Sequence, residues 1–477
     1  MKQIDVLHVS IEYFPAAKAG GLADVVGALP KYLNAKDFNM AVVIPKHHTN
    51  WILNEDWEQV FSGKIKVAEE QYDFSVQQHN PLAEHPLYVI DLPGLFDRNS
   101  IYIDTSTGYG YTDDHVRNVA FQMAVLEWII TLRKFPKVIH CHDHHTGLIP
   151  FMMNHCEYYK RLKKVPTVFT IHNGAYHGAF SWEDENLLPS FDMQVKGLLD
   201  WGNQINPLAC GVKCCWKLTT VSPGYMEELR YNSNGLESLF EQESEKSIGL
   251  INGIDVDVWN PATDPRIKSH LKKDLSLFKQ KNKKELAKKF KFDASLPLIT
   301  FIGRLAYEKG AQILPDLFCR YLHKNKDVVF LVLGTGDKFI ETLLEKTQNM
   351  YPENVRVKIG YDESLAHHLY AGSDFLIMPS KVEPCGLNQM YAMRYGTIPI
   401  VNTVGGLKDT VIDINKKEGY GICFKTATVF SAFEAVQRAA KLYENQKKFN
   451  QFRSKVSKLD FSWKASAKQY SSIYQNL

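Results

Sequence analysis

The chain has 477 residues, 45% of them hydrophobic and 23% charged, with a formal net charge of +3. That length exceeds one ordinary core, so two domains are expected, and the apolar content excludes a disordered chain. The near-neutral charge gives no argument for a nucleic-acid partner, and no run of about 18 apolar residues offers a membrane span.

The N-terminal Met1-Lys2-Gln3-Ile4-Asp5 leads straight into a strand-like stretch, Ile4–Ile11, without the apolar core of a signal peptide. Eight scattered cysteines with no CxxC pair predict reduced thiols and a cytoplasmic protein. After the first strand comes Lys18-Ala-Gly-Gly-Leu-Ala-Asp24, then a helical pattern over Leu22–Leu33 in which Pro30 predicts a kink or an early stop. Gly20 and Gly21 at a helix start let backbone N–H groups approach an anion, and Lys18 adds a point charge; a plain tight turn is the alternative. Neither a Walker loop nor the GxGxxG fingerprint is present.

Further strands are predicted at Met40–Ile44, Leu87–Leu92, Val138–Cys141, Val165–Ile171 and Lys217–Val221, with a helix over His115–Phe135. The run His140-Cys-His-Asp-His-His145 resembles a metal cluster, but successive strand residues face opposite ways, so only part of it converges. No second ligand cluster is recognisable, and the loop reads as a polar pocket wall with Asp143 in it, with no metal expected. His172 and Asn173 follow the next strand at the place where such sheets meet ligands; a core histidine satisfied by backbone is the competing reading.

A loop punctuated by Gly253, Pro261 and Pro265 sets the boundary between about Gly249 and Phe292. The lysine-rich Lys268–Lys291 has Leu271, Leu275, Phe278 and Leu286 at near-helical spacing and reads as a solvated helix face. Strands then recur at Pro297–Gly303, Val328–Gly334, Val355–Gly360, Phe375–Pro379, Ile398–Val401 and Tyr420–Phe424. Short apolar runs alternating with helices predict an α/β protein of two doubly wound domains. In the second, Arg304 and Lys309 share one strand-to-helix loop, suited to holding a diphosphate and stabilising a departing nucleotide. Glu383-Pro-Cys-Gly-Leu387 follows another strand and puts a carboxylate where sugar hydroxyls would lie, or one that only complements a helix dipole.

These pieces occur in a telling order. Lys18–Asp24, His142-Asp-His144, Thr170-Ile-His-Asn173, Val221-Ser-Pro223, Asn252-Gly253, Arg304–Lys309, Gly360-Tyr361, Glu383–Leu387, Tyr395-Gly-Thr397 and Gly405-Gly-Leu-Lys-Asp409 resemble the bacterial glycogen synthases and plant starch synthases over nearly the whole chain. The resemblance implies the GT-B architecture, two Rossmann-like domains facing a cleft. It divides the chain into residues 1–250 on the acceptor side, 251–459 on the nucleotide-sugar side, and a C-terminal helix, 460–477, returning to the first domain. It implies a retaining glucosyltransferase moving glucose from ADP-glucose to the non-reducing end of an α-1,4-glucan, with no metal or other cofactor and no nucleic-acid or membrane partner. Carried over by position, Lys18, Gly20, Gly21, Asn252, Tyr361, Cys385, Gly386 and Leu387 are donor-side residues. Asp24 and Asn173 lie on the acceptor or sugar side, and Glu383, Arg304, Lys309, His172 and Asp143 are the catalytic group.

Retention is read as same-face attack, with the leaving phosphate taking the acceptor's proton. UDP-glucose, a small sugar acceptor, an inactive glucan-binding scaffold and a pyridoxal-phosphate phosphorylase are the alternatives. The last is disfavoured because the chain is much shorter than those enzymes. Two positions depart from the bacterial pattern: Asn388, as in many plant enzymes, and Gly174, where an apolar residue is usual.

Overall fold

A computed structural model of the chain describes residues 3–34, 38–80 and 85–477, so Met1 and Lys2 fall outside it. The chain folds into two compact units, Met1–Gly253 with Trp463–Leu477, and Ile254–Ser462. Each crossing lies a few residues beyond the expected 250/251 and 459/460. Leu250 still donates to Thr220 O, and Ser466 bonds Ile251 O, which keeps residues 250–253 with the first unit.

The first unit is built on strands β1 (Val6–Val9), β2 (Met40–Pro45), β3 (Asp56–Val67), β4 (Glu70–Asn80), β5 (Leu87–Asp91), β6 (Val138–His142), β7 (Thr167–Ile171), β8 (Lys217–Thr220) and β9 (Ser247–Gly249). Their order across the sheet is β9-β8-β7-β6-β1-β2-β5-β4-β3. All pairs are parallel except β3 with β4 and β4 with β5. The central parallel strands are buried along their whole length, which explains why their sequences are continuous apolar runs. The antiparallel β3–β4 hairpin was not expected. Its strands are mostly polar and half-exposed, so they lack that signature.

The helix after β1 runs Gly21–Asn34, straight through Pro30. The early stop does not occur because Leu29 and Leu33, on either side of the proline, are fully buried in the core and hold the last turn. The same core takes in the C-terminal helix Trp463–Gln475, whose Trp463, Ala467, Tyr470 and Tyr474 pack with Val6, Val25, Leu29 and Met40.

The second unit has strands β10 (Leu298–Ile302), β11 (Val329–Gly334), β12 (Val355–Ile359), β13 (Phe375–Met378), β14 (Ile398–Asn402) and β15 (Ile422–Phe424). The sheet is wholly parallel in the order β12-β11-β10-β13-β14-β15, the Rossmann arrangement. The lysine-rich segment forms the helix Leu275–Phe290, but it is not simply a solvated face. Lys279 is buried and donates to Tyr370 O and Thr397 Oγ1, while Lys283 is buried against Asp374 at 2.6 Å. A lysine is tolerated inside only with such partners, and sequence periodicity does not reveal them.

Candidate active site

In an open parallel sheet the crevice lies where strand order reverses, beyond the carboxyl ends of the two strands there. In the first unit those strands are β1 and β6; in the second they are β10 and β13. Most of the sequence-selected residues sit on the loops that follow these four strands or their immediate neighbours.

Glu12, just past β1, organises the first group. Its buried carboxylate accepts Ala19 N at 2.6 Å, Gly20 N at 2.8 Å and the Tyr102 hydroxyl at 2.5 Å. Of the two glycine amides expected to approach an anion, that of Gly20 is therefore given to an internal carboxylate. Burial, opposed by these three donors, raises the Glu12 carboxyl above its ordinary range. Sequence reasoning missed Glu12, since a lone carboxylate at a strand end carries no spacing signal. Lys18 Nζ lies 2.7 Å from Asp24 Oδ1, which makes an ion pair of two residues assigned to different substrates.

Past β6, Asp143 adopts a positive φ of 56°. Its Oδ1 accepts the backbone N–H groups of His172 at 2.7 Å and Asn173 at 3.3 Å, which joins the loops after β6 and β7. Burial pushes the Asp143 carboxyl up to about 7, against the pull of those two N–H groups, and nearby Glu12 adds to the rise. His172 is not satisfied by backbone at its ring: Nε2 pairs with His142 Nδ1 at 3.0 Å. Asn173 Oδ1 accepts Ala175 N, and Gly174 N donates to the Tyr225 hydroxyl. At Gly174 a Cβ would stand 2.7 Å from Leu229 Cδ2, so a larger residue there requires that side chain to shift. Beside this segment lies a cavity of about 500 Å³ lined by Tyr111, His115, His144, Tyr176, His177 and Asn234. Asn252 lies apart, beyond edge strand β9; it is buried and its Oδ1 has no hydrogen-bond partner among the described residues.

The register of β1 on β6 sets His8 opposite His140, and ligand atoms of His8, His140 and His142 lie within 4.8 Å of one another. This second source of imidazoles was invisible in the spacing. Both nitrogens of His140 are nevertheless committed, Nδ1 to the Tyr474 hydroxyl and Nε2 to Thr170 Oγ1, each at 2.6 Å.

In the second unit, Lys309 Nζ and Glu383 Oε1 are 2.7 Å apart, and Ser380 Oγ donates to Glu383 Oε2 at 2.8 Å. The loops after β10 and β13 are stitched further by Lys381 N and Val382 N on Glu308 O, and Asn388 Nδ2 donates to Ile302 O at 2.7 Å. Arg304 is exposed and holds Glu308 at 2.8 Å. Gly386, at φ 71°, and buried Cys385 lead through Leu387 into the helix Asn388–Arg394; Gln389 Nε2 donates to the carbonyls of both Cys385 and Gly386. Tyr361 stands on a separate loop, after β12, and is 77% exposed. The structure thus joins Lys309 to Glu383 directly, keeps Arg304 on the loop of Lys309 paired with Glu308, and leaves Tyr361 on a separate loop.

Residues 5–242 match the family profile described as the starch synthase catalytic domain, and residues 282–458 that of glycosyl transferases group 1. A glycogen synthase of Flavobacterium johnsoniae is 46% identical over 99% of this chain and 98% of its own length. The chain belongs to the glycogen and starch synthase family. A glycogen synthase of Thermodesulfovibrio yellowstonii, 35% identical, aligns with 98% of the chain and 97% of its own length. Among solved structures, the catalytic domain of starch synthase IV from Arabidopsis thaliana, bound to ADP and acarbose, superposes with a TM-score of 0.89. It is 32% identical and covers 100% of this chain and 99% of its own. A sucrose-phosphate synthase of Thermosynechococcus elongatus, 18% identical with a TM-score of 0.61, shares the fold. As a member of this family the chain is a glycosyltransferase of the GT-B fold class, and no helix among its described residues is long and apolar enough to cross a membrane.

Proposed function

We propose that this member of the family transfers glucose from ADP-glucose to the non-reducing 4-hydroxyl of an α-1,4-glucan with retention of configuration. The observation that carries the reading is the Lys309–Glu383 pair on the two switch-point loops of the second unit, with Arg304 on the same loop as Lys309. A diphosphate arriving there draws Lys309 and Arg304 away from their carboxylates, and Glu383, still held by Ser380, is left to accept sugar hydroxyls. As the bond from C1 to the diphosphate oxygen breaks, negative charge grows on the leaving group, where two cations stabilise it without a metal ion. The glucan oxygen attacks C1 from the same face, and its proton passes to the departing phosphate oxygen. The nucleotide-sugar and glucan kind of substrate is supported by the family and by the ADP and acarbose held by the related starch synthase IV. The cavity beside Asp143 and His172, with Tyr176 at its wall, is the place we assign to the glucan. Eight free cysteines support a cytoplasmic location.

Initial rates with ADP-glucose and UDP-glucose on a glycogen primer test this, with parallel reactions in chelator. ADP-glucose is expected to give at least about a tenfold higher kcat/KM, unchanged by chelator, with lengthened glucan as product. Equal use of UDP-glucose overturns the donor, loss of rate in chelator overturns the metal-free step, and glucosylation of glucose 6-phosphate without glucan growth overturns the acceptor.

A further inference from the structure

Three buried imidazoles form an unbroken file through the first unit. His8 Nδ1 lies 2.9 Å from His142 Nε2, and His142 Nδ1 lies 3.0 Å from His172 Nε2. His8 and His142 are fully buried and His172 is 9% exposed. The register of β1 on β6 sets His8 opposite His140, and His142, two residues further along β6, lies on the same face within reach of His8; His172 stands just beyond β7, the next strand. His140 stacks on this file, but its nitrogens are bonded elsewhere, to Tyr474 and Thr170. With one imidazole so committed and no carboxylate in the trio, the cluster suits a hydrogen-bonded chain better than a metal ion.

Burial keeps all three rings neutral. Three neutral rings carry three N–H groups, and the two links consume one each. The third proton must sit at one end of the file. If every ring is protonated at Nε2, the spare N–H is that of His8, whose Nε2 is buried with no partner among the described residues. If every ring is protonated at Nδ1, the spare N–H is that of His172, whose Nδ1 has no partner among the described residues but is not sealed from solvent. A buried N–H with no acceptor is the costlier orphan, whereas a bare acceptor nitrogen is tolerated. The file therefore has one favoured polarity, from His8 through His142 to His172.

We propose that His8 and His142 are positioning residues that hold His172 as its Nδ1–H tautomer, so that it presents a hydrogen-bond donor to an oxygen of the bound sugar. Only the identity of that acceptor rests on the glucosyl-transfer reading; the tautomer is a property of the free protein. An imidazole left free to exchange tautomers offers the sugar a lone pair for part of the time, which repels the same oxygen.

Nitrogen-15 histidine NMR on the full chain reads the tautomer directly, with the His172 signal identified by its loss in His172→Gln. The expected wild-type result is His172 protonated at Nδ1; protonation at Nε2 overturns the proposal whatever the enzyme's substrate. His8→Leu removes the donor that feeds His142 and is expected to let His172 populate the Nε2–H form, with turnover down about tenfold or more. His8→Asn, whose amide nitrogen falls where Nδ1 stood, is expected to restore the tautomer and most of the lost turnover. If His8→Leu lowers turnover while His172 stays at Nδ1–H, the file does not set the tautomer and the proposal fails. Should His8→Leu not fold, the wild-type spectrum alone decides.

Discussion

Lys309 and Glu383 meet at 2.7 Å, with the carboxylate buried and the ammonium half-buried. Glu383 has a second partner in Ser380, so removing Lys309 leaves the carboxylate with one donor rather than none. Lys309→Ala is therefore expected to remain folded, at a cost of about 1–3 kcal/mol, while turnover falls at least about 100-fold because a cation at the leaving group is lost. A thermal melt beside a steady-state assay separates the two effects; near wild-type turnover would remove Lys309 from the chemistry. Asp143 makes a different prediction. Burial pushes its carboxyl up to about 7 in the folded protein, well above the ordinary carboxylate range, so the fold keeps a proton that the unfolded chain has released. Its contribution to stability is therefore full below about pH 4, is lost as pH rises to about 7, and then levels. Asp143→Asn keeps an oxygen for His172 N and Asn173 N but does not titrate. Denaturant midpoints measured from pH 4 to 8 should fall more for the wild type than for the variant, and parallel curves would contradict the raised carboxyl.

At the scale of elements, the central parallel strands were legible because they are buried along their length and so are written as unbroken apolar runs, whereas the short, part-exposed edge strand β9 carried no such run. The loops were legible because chemistry-bearing residues gather at the carboxyl ends of those strands. What failed to show follows a physical pattern. The β3–β4 hairpin carries its polar residues at the surface, Glu12 and His8 act through partners distant in sequence, and Lys279 and Lys283 look like surface lysines until the tertiary fold supplies Thr397 and Asp374. Resemblance named Lys309 and Glu383, but only the fold shows that they touch. Gly310 shows how closely those loops approach. It has φ 69°, and a Cβ would stand 1.9 Å from Pro379 O. Gly360 has φ 126° with nothing within 4 Å of its virtual Cβ. Both alanine variants incur backbone strain of about 1–3 kcal/mol, but Gly310→Ala must also push the loop after β13 away from the loop after β10. It is expected to lower the melting temperature more than Gly360→Ala and to reduce turnover as well; equal melting shifts would mean that the loops part without cost.

For the whole molecule, the decisive feature is the return of the chain. The first unit leaves off at Gly253, and its core is completed only by Trp463–Leu477, after the entire second unit has been made. Trp463 is fully buried, and its backbone passes so close to Gly253 that a Cβ on that glycine would lie 2.5 Å from it. Tyr474 reaches the interior of the sheet, where its hydroxyl meets His140, the ring that stacks on His142. The C-terminal helix is thus part of the first unit's core and supports the file that ends at His172. Trp463→Ala removes a large buried side chain and is expected to cost about 3–5 kcal/mol. Because the loss falls on one unit, calorimetry should show the transition of the first unit shifted down while that of the second keeps its midpoint. A uniform downward shift of the whole unfolding profile would instead mean that the two units unfold as one cooperative body, and that the helix stabilises both.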